Sequence, residues 1–327
     1  MLEELFTEKI VLEQIKILVK LTVTSIFYCK KIWYMIKSDG KIIKGDDLMK
    51  RAVTIQDISC VGKCSLTVAL PIISAMGIET AVIPTAVLST HTMFNNFTFK
   101  DLSTDIPLIQ KHWKDENIKF DAIYTGYLGS IEQIDMLKDF FKEFKADNNF
   151  IFIDPVMGDN GKLYTGFNQK FADEMAKLCS LADIIVPNLT EASYMLHREY
   201  KENYSKEEIK EILIELSNLG PKQVILTGVS FNENELGVMT YDKEAKKFYS
   251  YFREKIQVKY HGTGDIYAST CVGALLNNNP LDEAIKIAVD YVWETIADTY
   301  KEKKEDAYGV NFENKIPYLV EKVKANK

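Results

Sequence analysis

The densest chemistry in the chain is His261-Gly262-Thr263-Gly264-Asp265, followed by Ile-Tyr-Ala-Ser-Thr-Cys-Val-Gly-Ala-Leu. The paired glycines let a backbone turn tightly and approach a ligand closely. A helix of small residues after them would aim its unpaired amides and positive dipole end back at the turn. Turn and helix together make an anion hole suited to a transferring phosphoryl group. Asp265 stands inside that hole, where a carboxylate suits a general base for an incoming hydroxyl. The plain alternative is an N-capping aspartate after an ordinary glycine loop.

Other polar residues fall where apolar runs stop. Asp154 follows the run 150–153, Asn188 follows 184–186, and Thr227-Gly228 follow 224–226. These runs alternate with helical patterns, the mark of βαβ units and a mostly parallel sheet. Strands are expected at 52–55, 79–83, 122–125, 150–153, 184–186 and 224–226. Helices are expected at 65–76, 102–116, 130–145, 265–276 and 281–300, the third opened by Ser130 with Glu132 and Gln133 in its first turn. Two alternating runs, 236–241 and 247–252, flank 242–245 and predict a hairpin at the sheet edge. In open parallel sheets ligands bind outside the carboxyl ends of the strands. Asp154, Asn188 and Thr227 are therefore expected on one rim.

On these residues the chain resembles the pyridoxal/pyridoxamine kinases of the ribokinase superfamily. Gly-Thr-Gly-Asp opening a small-residue helix is similar to that superfamily's anion-hole and catalytic motif. Tyr124-Thr125-Gly126-Tyr127, Ile153-Asp154-Pro155-Val156-Met157-Gly158-Asp159, Pro187-Asn188-Leu189-Thr190-Glu191 and Ser89-Thr90-His91-Thr92 resemble further family segments, in family order. So does Thr227-Gly228 at the end of its strand, and the resemblance covers roughly residues 51–300. Each piece also has a local reading: a strand-ending turn at Asp154-Pro155, a helix start at Asn188, plain packing for Tyr127 and a structural His91.

The resemblance implies a ribokinase-like three-layer αβα sandwich with an edge hairpin and no separate lid domain. It implies transfer of the γ-phosphoryl group of MgATP to the 5′-hydroxymethyl group of a vitamin B6 compound. Asp265 would take the proton, and the amides of Gly262, Thr263 and Gly264 would steady the γ-phosphate. Asp154, Asn188, Thr227 and Gly228 would hold the nucleotide, and Asp159 and Glu191 would hold Mg2+ directly or through water. Asp57, Ser59, Thr92 and Tyr127 would meet the substrate ring. Dependence on K+ is left open, and a cytoplasmic homodimer is expected.

One departure matters. Ile55-Gln56 is followed by Asp57 where many pyridoxal kinases carry serine. A carboxylate there could face a protonated ring nitrogen or the aminomethyl group of pyridoxamine, or only cap local amides. The nearest rival is a hydroxymethylpyrimidine kinase, but those enzymes usually carry Cys where Asp265 stands. A vitamer-binding regulator without activity is the alternative of a different class, and the intact Asp265 and glycines argue against it.

Composition narrows the field further. The chain has 327 residues, 46% hydrophobic and 27% charged, which permits a large core. Its net charge of −7 speaks against a nucleic-acid surface. Five cysteines without a Cys-x-x-Cys pair fit a reducing compartment. Cys60 and Cys64 lack the partners of a zinc site, and Gly62-Lys63-Cys64-Ser65 fails as a P-loop because Cys64 replaces the metal-binding hydroxyl. Residues 1–48 form an apolar-rich extension broken by Lys16, Lys20, Lys30 and Lys31, too interrupted to span a membrane. That extension reads as a docking helix, a membrane-surface helix, or sequence upstream of a true start at Met49. The remaining 49–327 read as one kinase domain.

Overall fold

Continuous burial along the central strands dictates a sheet covered on both faces. The computed structural model of the protein describes residues 35–36, 42–43, 49–303 and 309–325. Two compact units separate between Met49 and Lys50. In the first, Met35–Ile36 pairs antiparallel with Ile42–Ile43. The helix readings of 1–48 otherwise lie outside the described residues.

The second unit begins with β1 (Arg51–Val61), α1 (Leu66–Ala75), β2 (Glu79–Thr90), β3 (Phe99–Asp101) and α2 (Ile106–Asp115). Then come β4 (Ala122–Thr125), α3 (Ile131–Phe144), β5 (Phe150–Ile153), a small hairpin of β6 (Gly158–Asp159) and β7 (Lys162–Leu163), and α4 (Gln169–Cys179). β8 (Ile184–Ile185), α5 (Leu189–Met195), α6 (Lys206–Asn218), β9 (Gln223–Val229), β10 (Glu235–Asp242) and β11 (Lys247–Glu254) follow. α7 (Thr263–Leu276), α8 (Leu281–Lys301), a 3-10 turn (Phe312–Lys315) and α9 (Ile316–Ala325) end the unit.

Nine strands form one sheet in the order β11-β10-β9-β8-β5-β4-β1-β2-β3. The six from β9 to β2 run parallel, and β3, β10 and β11 are antiparallel at the edges. The expected edge hairpin is β10–β11. Val53, Ile55, Ile123, Ile151 and Ile153 face one core with α2, α3, α4 and α6. Ala52, Ala122, Tyr124 and Phe152 face the other, with α1, α7 and α8. This is the three-layer αβα sandwich, and the period-2 alternation of side chains produces it. Truncating a fully buried member such as Phe140 or Ile55 would cost about 2–5 kcal/mol in lost burial and cavity.

The first two strands are longer than their apolar runs. β1 continues through Gln56, Asp57 and Ser59, all buried; the Gln56 amide donates to Thr54, and the hydroxyls of Ser59 and Ser65 donate to Asp57. β2 continues past Pro84 to Thr90, with a register shift opposite Asp57. A proline cannot donate to the ladder, and a bulge beside it re-aims the neighbouring side chain. Helix 102–116 begins only at Ile106, since β3 and a turn at Leu102 occupy the approach. The helices α4, α6 and α9 lie outside the expected set.

Candidate functional site

The carboxyl ends of β1, β4, β5, β8 and β9 lie side by side, and the polar residues collect there. Asp154 directly follows β5, whose last residue pairs with Thr125 and Ile185. Asn188 bridges to Thr227 across the neighbouring strand ends. Asp57 sits at the bulge of β1. The rim is open: Gly264 and Gly228 both face empty space. A hollow of about 280 Å³ lies elsewhere, at the opposite strand ends between Phe150, Asp183, Lys222 and Asp242.

Gly262 stands at the N-cap of α7 with φ of 79°, and a Cβ there would collide with the carbonyl oxygen of Lys63. Only glycine fits that turn. No side chain caps α7, so the first-turn amides that a helix leaves unpaired remain available to a ligand. Asp265 lies in that first turn. It is partly exposed, and its Oδ2 accepts a hydrogen bond from the amide of Ser65 at 3.0 Å. Burial pushes its carboxyl up to about 6, against the pull of that amide.

Asp57 is a neighbour of Asp265. Its Oδ1 accepts from the Ser65 hydroxyl at 2.6 Å and its Oδ2 from the Ser59 hydroxyl at 3.3 Å. Burial is the main reason its carboxyl rises to about 6, with the charge of Asp265 adding to it. Tyr127 packs on Phe167 at 5.7 Å, and its phenol is raised by burial and then by the charge of Asp57. Thr92 is exposed beyond β2 with no hydrogen bond to the other candidates among the described residues. His91 is buried, with its ring 4.5 Å from that of His261 and against Gly62.

The second acidic group is built on α5. Asn188 caps it by accepting from the amides of Thr190 and Glu191. Glu191 Oε2 in turn accepts from the Asn188 amide at 2.8 Å, and its Oε1 accepts from the Met157 amide at 3.1 Å. The Asn188 side chain donates to the carbonyl of Gly158, so this capping box also fixes the β6–β7 hairpin. Asp154 is 7% exposed, and its carboxyl takes no hydrogen bond from a protein donor among the described residues. Burial, then the charges of Glu191 and Asp265, raise it well above the usual carboxylate range. Glu191 is also raised, chiefly by burial. Asp159 is exposed, and its oxygens accept from the amide and side chain of Asn160. Thr227 donates its amide to the carbonyl of Pro187, and Gly228 makes the adjacent bulge in β9 with φ of 73°.

Three features were not read from the sequence as part of the site. Ser65 joins two carboxylates across 200 residues of chain, a relation no local pattern carries. The phenol of Tyr164 is raised by burial and by the charges of Glu191, Asp159, Asp154 and Asp265, so it faces the acidic groups. Beneath the rim, the Tyr124 phenol is buried beside Ser269 and Gln56, and burial, then the charges of Asp154 and Asp265, raise it well above its ordinary range.

Comparisons with known proteins bear on the family and the fold. The family model for phosphomethylpyrimidine kinase matches residues 70–310. A Bacteroides thetaiotaomicron protein described as a phosphomethylpyrimidine kinase is 38% identical, with TM-score 0.81 over 83% of this chain and 94% of that one. A second crystal form of it, with pyridoxal, gives TM-score 0.80. Pyridoxal kinase from Lactobacillus plantarum is 29% identical with TM-score 0.78, covering 84% of this chain and 98% of that one. Pyridoxal kinase of Dictyostelium discoideum is 24% identical over 78% of this chain and 88% of its own length. The chain therefore belongs to the phosphomethylpyrimidine kinase family, as a ribokinase-like kinase of the pyridoxal kinase kind.

Proposed function

We propose that the protein transfers the γ-phosphoryl group of ATP to the 5′-hydroxymethyl group of pyridoxal, pyridoxamine or pyridoxine. The observation that carries this is the Asp265 carboxylate, held by the Ser65 amide at the mouth of α7, on the same rim as the buried carboxylate of Asp57. The pyridoxal kinases among its relatives, and the crystal form with pyridoxal, support a B6 ring as acceptor. Asp265 takes the hydroxyl proton as the new phosphorus–oxygen bond forms and the bond from the γ-phosphorus to the bridging oxygen breaks, releasing ADP. The amides of Gly262, Thr263 and Gly264 stabilise charge on the moving phosphoryl group. Asp57, Ser59, Thr92 and Tyr127 receive the ring. Asp57 favours a cationic group, such as the aminomethyl of pyridoxamine or the protonated ring nitrogen.

Asp154, Asn188, Thr227 and Gly228 hold the nucleotide in this reading. Mg2+ fits the acidic end, because Asp154 is a buried oxygen donor without a protein partner among the described residues, beside Glu191 and Asp159. No group of three or more His, Cys, Asp or Glu among the described residues could cage a metal alone. The ion would therefore share these carboxylates with phosphate oxygens and water. Bound there, it neutralises charge on the phosphates. A cytoplasmic setting is supported by four free cysteines among the described residues, and a homodimer by the family resemblance.

The test is an ATP-consumption assay with pyridoxal, pyridoxamine, pyridoxine and hydroxymethylpyrimidine, each with Mg2+ in Na+ and in K+ buffers. Turnover of B6 compounds with pyridoxamine foremost is expected. The family name and the Bacteroides relative favour hydroxymethylpyrimidine as the second reading, and turnover of that compound alone would replace the first. Binding without turnover of any compound would favour a regulator. Light scattering of the purified chain reads the dimer directly.

A further inference from the structure

We propose that Ser65 is a positioning residue that ties the substrate-side carboxylate of Asp57 to the base, Asp265, through a single backbone unit. The inference rests on the reading just given for those two aspartates. The geometry is specific: the Ser65 amide donates to Asp265 Oδ2 at 3.0 Å while its hydroxyl donates to Asp57 Oδ1 at 2.6 Å. Ser65 occupies the N-cap of α1, yet its side chain makes no capping bond to that helix. A serine at that position ordinarily spends its oxygen on the helix amides. Here the hydroxyl turns away to the carboxylate.

The backbone of Ser65 is also unusual, with φ of 51° and ψ of −133°. Glycine adopts such a conformation freely and serine does not. A strained residue persists where its surroundings fix it, and the surroundings here are tight. The Thr67 hydroxyl donates to the carbonyl of Cys64 at 2.7 Å. The Lys63 carbonyl abuts Gly262. The Lys63 ammonium donates to Asn311 at 3.1 Å and Glu313 at 2.8 Å. Chain segments near 63, 262 and 311 thus clamp one turn, and Ser65 is the member that reaches both carboxylates.

No Lys or Arg forms an ion pair with Asp57 or Asp265 among the described residues. Asp57 faces Ser59, Ser65, Asp265, the Cys64 thiol and the Tyr127 phenol. Asp265 faces Ser65, Asp154, Cys64 and the phenols of Tyr124 and Tyr164. With only neutral or acidic neighbours, the hydroxyl and amide of Ser65 supply much of what keeps the two carboxylates charged and oriented. A cationic group drawn to Asp57 is then held at a fixed offset from the proton acceptor. Such an offset is what positioning catalysis needs.

The test uses the full chain. Ser65→Gly keeps the amide and suits the backbone, but deletes the hydroxyl; Ser65→Ala deletes the hydroxyl and keeps the strain, as a second variant should one not fold. In 13C-labelled protein the Asp57 side-chain carboxyl is titrated by NMR. Losing the hydroxyl donor should raise its midpoint by roughly one unit in either variant. With pyridoxamine as substrate, KM should rise about 5-fold or more while kcat falls less. Combined with Asp57→Asn, Ser65→Gly should add little further to KM, because the hydroxyl acts through that carboxylate. An unmoved Asp57 midpoint overturns the inference whatever the kinetics show. If the wild-type chain phosphorylates no B6 compound, the functional reading fails, and the titration still decides whether Ser65 governs Asp57.

Discussion

The two acidic ends of the rim bury their carboxylates in different ways. At the α7 end, every charged oxygen pair meets donors: Asp265 has the Ser65 amide, and Asp57 has the hydroxyls of Ser59 and Ser65. Their carboxyls rise only to about 6, which leaves the ionised form within reach at neutral pH. At the α5 end, Glu191 has the amides of Met157 and Asn188, while Asp154 has no protein donor among the described residues and rises well above its ordinary range. Burying a charge without a partner is costly. On the proposed reading, the first end is complete as protein and suits a proton acceptor. The second would be completed by a cation and phosphate. The difference would then separate the group proposed for proton transfer from the groups proposed to hold the nucleotide.

Substitutions at each end probe that contrast. Asp265→Asn should lose about 10³-fold or more in kcat, within and above the usual range for a general base, while keeping the fold. Near-normal turnover would remove Asp265 from the mechanism. Gly262→Ala should cost about 10²-fold, because a Cβ meets the Lys63 carbonyl and the positive φ disfavours alanine. An unaltered rate would show that the turn does not hold the phosphoryl group. Asp154→Asn should shift half-saturation by Mg2+ upward about tenfold with a smaller effect on the KM for the B6 substrate. The reverse pattern would erase the distinction between the two ends.

The pH dependence gives a subtler pair of effects. In the proposed mechanism Asp265 is a base only when ionised, so kcat/KM should fall as pH drops below about 6. Stability moves the other way. A carboxyl raised from 3.8 to about 6 binds its proton more tightly in the folded state. Its contribution to stability is then greatest below about 4 and is lost as pH rises through 6. Asp57→Asn or Asp265→Asn should therefore raise stability at pH 7 by up to about 3 kcal/mol, read as a higher Tm, even as activity falls. A lower Tm in both variants would mean that the ionised carboxylates stabilise the fold. The smallest effect belongs to Glu313→Ala, which removes a half-exposed ion pair with Lys63 and should cost no more than about 1 kcal/mol.

Much of the fold is legible in local sequence. The apolar runs at Phe150–Ile153 and Ala122–Thr125 match the strands residue for residue, because fully buried parallel strands need continuous apolar side chains. Ser130 caps α3 through the amide of Gln133, as its position ahead of an amphipathic run implies. The strand from Arg51 reads too short at Ile55, since Gln56, Asp57 and Ser59 break the apolar pattern. Their burial becomes acceptable only once Thr54, Ser65 and one another supply hydrogen bonds.

The glycine turn, Asp265, the Asp154 and Glu191 segments and the hairpin are properties of sequence alone, because each depends on residues within a few positions of one another. Tertiary structure decided that Ser65 would serve both Asp57 and Asp265, that Tyr164 would face the acids, and that Asp154 would have no protein donor among the described residues. Those outcomes depend on contacts between residues up to 200 positions apart, brought together where parallel strands end. The burial that shifts a carboxyl's proton affinity exists only after the chain has closed around it.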